Sequence, residues 1–109
     1  MDALAKVLAE RTDELAEIVR GRTGLTPTQS RRFVEVAADD LVAAFLWQAG
    51  HRSPLPMDSP QVARNVMEGV RGRLVAQRAG LPPRRAWEGL RALVPAVLRT
   101  AAREAATKA

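Results

Sequence analysis

Glu35 and Asp39 stand one helical turn apart, the spacing that puts two carboxylates on one face and is needed by a carboxylate metal site. A ferritin-type centre adds a Glu-x-x-His pair, and the lone histidine, His51, falls outside the helical pattern. Arg31 and Arg32 precede Glu35 by about a turn, so a solvated charge network is the simpler reading. His51 follows Gly50, where an imidazole can hydrogen-bond the last carbonyls of a helix; a catalytic base is the other role open to it. The chain has no cysteine, which removes disulfides, thiolate metal sites and thiol nucleophiles. No phosphate-binding glycine loop and no nucleophile-elbow serine occurs. The expectation is a protein that is not an enzyme and holds no metal or cofactor.

Charged residues outside any catalytic pattern say more. Asp40 lies between Val36 and Trp47 by helical angle, at the edge of Phe33, and should be partly buried. A buried carboxylate needs a partner, and an arginine of the C-terminal half would supply a buried ion pair. A ligand-binding role is the alternative. Towards the C-terminus Arg84, Arg85, Arg91, Arg99 and Arg103 share about a third of a helical circumference at roughly 100° per residue. Arg64, Arg71 and Arg78 recur at heptad intervals. Guanidinium forks suit phosphate, so these stripes form a candidate anion or nucleic-acid face. Glu68 and Glu88 interrupt them, and with no tyrosine and only two Trp and two Phe, base stacking is poorly served. A solvated face is the competing reading.

The charge distribution follows the same division. Residues 1–50 carry 6 basic and 8 acidic groups, and residues 51–109 carry 11 basic and 4 acidic. A C-terminal half meeting an anionic partner, or two halves attracting each other, would account for this.

Four amphipathic segments must position these side chains. The first runs over about 3–22 on Leu4, Val7, Leu8, Leu15, Ile18 and Val19, with a break near Thr12 if that threonine caps a restart. Gly24 is the expected stop, and Thr26-Pro27-Thr28-Gln29 reads as a capping box with proline at the first helical position. The second helix extends to about Ala49. Its face is Phe33, Val34, Ala37, Ala38, Leu41, Val42 and Phe45, but Leu41 to Trp47 contains no polar residue at all. Val36, Leu46 and Trp47 lie off the main face and are candidates for self-association. A linker with Pro54 and Pro56 follows, then a third helix opened by Ser59-Pro60, striped by Val62, Ala63, Val66, Met67, Val70 and Leu74, and ended by Gly80. Gly69 and Gly72 weaken it unless a neighbour packs closely there. The fourth begins near Pro83, and Pro95 should kink or split it around Leu93–Val94. The tail beyond Arg103 should fray.

At an offset of 56 residues Gly24-Leu25-Thr26-Pro27 aligns with Gly80-Leu81-Pro82-Pro83, and Val34, Ala37, Leu41 and Val42 align with Leu90, Leu93, Val97 and Leu98. Each half then reads as helix, corner, helix, which admits an internal duplication or simply two amphipathic hairpins. The stretch from Leu15 to Phe45, with Arg-Thr-Gly-Leu-Thr at 22–26, resembles the opening helical hairpin of HU-type nucleoid proteins. Nothing after Gly50 resembles their sheet and DNA-embracing arms, so their DNA binding does not carry over. Ala79-Gly80-Leu81-Pro82-Pro83, with the proline-interrupted run from Leu90 to Leu98, resembles the YidB-like (DUF937) small helical bacterial proteins. That resemblance covers about a fifth of the chain, lacks the family's glycine-rich stretches, and implies a multihelical fold with no chemistry attached.

These readings predict an all-α compact bundle of two helical hairpins in a single domain over 1–109: hairpin 3–49, linker 50–59, hairpin 60–106. Four long helices are expected, five or six if breaks occur near Thr12 and Pro95. The longest uncharged run, Leu41 to His51, is too short to span a bilayer. Asp2, Glu10 and Asp13 interrupt any signal-peptide pattern, so a cytoplasmic protein is expected. The function expected is a non-catalytic binding or assembly module, a homo-oligomer, with sequence-nonspecific nucleic-acid binding as the alternative.

Overall fold

In the computed structural model of the chain, backbone is described for residues 2–50 and 56–108 and side chains for 4–47 and 56–106. His51, and with it the reading of that residue, lies outside the described residues, as does the linker over 51–55. The helices are α1 (Asp2–Glu10), α2 (Thr12–Thr23), α3 (Pro27–Gly50), α4 (Pro60–Gly69), α5 (Gly72–Ala79) and α6 (Pro83–Lys108). No strand occurs among the described residues.

The corners follow from their residues. Gly24 and Gly80 take φ of 73° and 69°, a left-handed conformation that L side chains enter only at a cost. After the first corner the Thr26 N–H donates to Gln29 Oε1 at 3.0 Å and the Gln29 N–H donates to Thr26 Oγ1 at 3.1 Å, a complete capping box. Ser59 caps α4 by accepting from the Gln61 N–H at 3.1 Å, with Pro60 at the first helical position.

The breaks depart from expectation in instructive ways. α1 and α2 separate at Arg11, yet Thr12 is not the cap: its hydroxyl donates back to the Leu8 carbonyl at 3.0 Å. Pro95 does not split α6, which runs unbroken from Pro83 to Lys108, past Arg103. Arg91, whose carbonyl loses its i+4 donor to Pro95, sits on the exposed side, where a helix tolerates a missing bond best. The second break falls instead at Val70–Arg71, between α4 and α5. Both neighbouring glycines answer to packing. A Cβ on Gly69 would lie 3.0 Å from the Ala44 Cβ, and one on Gly72 only 2.4 Å from the Trp87 ring. The break also resets the helical phase: Val75 and Ala76 turn inward, whereas Leu74 is only half-buried.

α1–α2 packs against α3 and α6, and α4–α5 packs against the same two helices, with no close backbone approach between the two short-helix pairs among the described residues. One contiguous core results, centred on Phe33, Leu15, Leu90, Leu93 and Val97. The radius of gyration, 12.9 Å, matches the roughly 13 Å of a compact chain of this length. Ile18 belongs to the first apolar stripe, but at 38% exposure it lies at its edge, outside the core.

Both corners stand at one end of the bundle and are tied across the halves. Arg85 of α6 donates to the Thr23 carbonyl at the end of α2 at 2.7 Å. Arg32 of α3 reaches the Arg78 carbonyl near the end of α5 at 3.4 Å. In each case a cation on a long helix meets the electronegative end of a short one from the other half.

Candidate functional site

Asp40 is 6% exposed, and its carboxylate closes the α4–α5 break. Oδ1 accepts from Arg71 Nη2 at 3.1 Å and Oδ2 accepts from the Arg71 backbone N–H at 3.3 Å. The side chain from α3 therefore neutralises a cation and satisfies the orphan amide that opens α5. The Arg71 guanidinium is 69% exposed, so only the carboxylate end of this pair is buried. Arg71 thereby leaves the heptad stripe of Arg64, Arg71 and Arg78, which the break had already put out of register.

The α6 arginines are all exposed along the unbroken helix, but several are already engaged. Arg84 pairs with Glu88 at 3.7 Å, Arg85 is spent on the Thr23 carbonyl, and Arg103 hydrogen-bonds Thr100 Oγ1 at 3.5 Å. Arg91 and Arg99 are exposed and make no ion pair among the described residues. Other surface charges are largely matched. Arg31 bridges to Asp13 at 2.6 Å and Glu35 at 3.4 Å, and Arg11 bridges Glu14 and Glu104. The Arg20 fork, donating to both Glu17 oxygens, holds that carboxyl below its ordinary range. Glu35 is thus engaged by arginine and Asp39 is exposed; among the described residues no group of three or more His, Cys, Asp or Glu could hold a metal.

Of the self-association candidates, Leu46 and Trp47 come together at the C-terminal end of α3, 49% and 58% exposed. Val36 lies about 15 Å back along the axis at ~1.5 Å per residue, half-buried against the core. Exposed Ala43 continues the Leu46–Trp47 surface, whereas the exposed positions over 31–39 are Arg31, Arg32, Glu35 and Asp39. One helix thus shows a charged outer face over 31–39 and an apolar one over 43–47.

Two features have little sequence signal. Arg32 is visible in the sequence only as one of a charged pair, and its contact depends on where α5 ends. Between α4 and α6 runs a groove of about 270 Å³ lined by Pro60, Ala63, Pro95 and Leu98, with Arg64, Arg99 and Asp58 at its rim. Pro95, a breaker by sequence, forms part of its floor. No helix among the described residues is long and apolar enough to cross a membrane. Comparison with protein-family models, with characterised proteins and with solved structures finds no match to this chain.

Proposed function

We propose that the protein is a non-catalytic assembly module that associates with a second copy of itself through the C-terminal turns of α3. The carrying observation is the pair Leu46 and Trp47, large apolar side chains about half exposed next to a core that buries nearly every other one. Adjacent exposed apolar side chains of this size mark contact surfaces, and tryptophan is enriched at their centres. Ala43, Leu46 and Trp47 bear no charge, so a two-fold pairing sets uncharged side chains against one another. Nucleic-acid binding through Arg84, Arg85, Arg91, Arg99 and Arg103 has less support, because ion pairing and capping occupy Arg84 and Arg85.

The test replaces both side chains. Leu46→Gln with Trp47→Gln should give a folded, smaller species in sedimentation velocity, with unchanged helicity by circular dichroism. A double variant that sediments with the wild type at every concentration overturns the assignment.

A further inference from the structure

We propose that the α4–α6 groove is a second docking site, and that its occupant is a short acidic segment of a partner protein carrying apolar side chains between its carboxylates. Pro60, Ala63, Pro95 and Leu98 give the groove an apolar floor, and Arg64 and Arg99 stand at its rim. Arg99 has no ion-pair partner among the described residues, and Arg64 is engaged only by the neutral Gln61 Oε1 at 2.7 Å. Both guanidiniums therefore keep donors for carboxylates. Arg91, one turn before Pro95, adds a further unpaired cation to the same helix, against a single rim acid, Asp58. Pro95 supplies no N–H, so the Arg91 carbonyl keeps accepting capacity that an uninterrupted helix would use.

The floor decides the class of partner. No aromatic side chain lines the groove, so bases have nothing to stack on, and two rim cations neutralise few phosphates. A peptide whose aliphatic side chains are flanked by acids uses both floor and rim. The site is separate from Leu46 and Trp47, so it can be filled whether or not copies associate.

Fluorescence anisotropy with a labelled Glu-Asp-Leu-Leu-Glu-Asp peptide tests the proposal. Binding is expected, with loss when Gly-Gly replaces Leu-Leu or lysines replace the acids. Arg64→Gln with Arg99→Gln should weaken it about tenfold, the sum of two partly screened ion pairs. Ala63→Gln fills the floor without changing charge and should weaken it too, whereas Arg22→Gln on α2 should leave it unchanged. Circular dichroism melts check that each variant is folded. Binding indifferent to the leucines or to Ala63→Gln, or matched by a DNA duplex as competitor, would show a general polyanion face and overturn the docking site. Absence of binding at high micromolar protein would overturn it as well.

Discussion

Asp40 joins three elements with one side chain, and its energetics follow from what each oxygen accepts. Asp40→Ala leaves the Arg71 amide without its acceptor and should cost about 1–3 kcal/mol in urea denaturation. Asp40→Asn keeps an acceptor while losing the charge, and should cost less. Ser30 is the opposite case. It is 0% exposed and its hydroxyl has no hydrogen-bond partner among the described residues, while Ala86, its counterpart at the 56-residue offset, is equally buried. Ser30→Ala should leave the melting temperature unchanged or raise it; a clear fall would show that the hydroxyl is satisfied. At Glu17 the pH sign can be worked through. Its carboxyl is held low mainly by the hydrogen bonds from Arg20, so the folded state takes up that proton less readily than the unfolded state. The contribution is therefore present at neutral pH and lost as pH falls through the lowered value. The melting difference between wild type and Glu17→Gln should close on acidification and shrink with salt, because the pair is exposed. At this scale the burial of Asp40 is legible in the helical angle between Val36 and Trp47. The identity of its partner is not, because Arg71 reaches it only through a break whose place depends on tertiary packing.

Element boundaries are most legible where local chemistry fixes them alone. The capping box at Thr26 and Gln29, Ser59 before Pro60, and the glycine corners all depend on neighbours within four residues. Thr26→Ala should accordingly cost about 1 kcal/mol. Gly24→Ala and Gly80→Ala should each cost about 1 kcal/mol because φ is positive at both, and denaturant melts of the single variants check this. The breaks were harder to place because they answer to other helices. Pro95 is tolerated where solvent can reach the affected carbonyl, whereas the chain bends at Val70–Arg71, where Asp40 supplies a cap and Trp87 lies over Gly72. Gly72→Ala should therefore cost more than Gly24→Ala, since its Cβ would meet an indole ring rather than open space.

The molecule is a bundle whose corners are tied at one end by Arg32 and Arg85, with exposed Leu46 and Trp47 towards the far end of α3. The all-helical class was legible because four amphipathic stripes left nothing to be strand. The functional surfaces were less so. A seven-residue apolar run in α3 shows that something beyond one core is being served, but only packing tells Leu46 and Trp47 from Val36. The α4–α6 groove joins residues more than thirty positions apart and has no local signature at all. The most direct test of the central claim is the molar mass of the wild-type chain by light scattering across a micromolar concentration series. Self-association predicts a mass rising from 11.9 kDa towards an integral multiple of it. A mass constant at 11.9 kDa up to high micromolar concentration would contradict it.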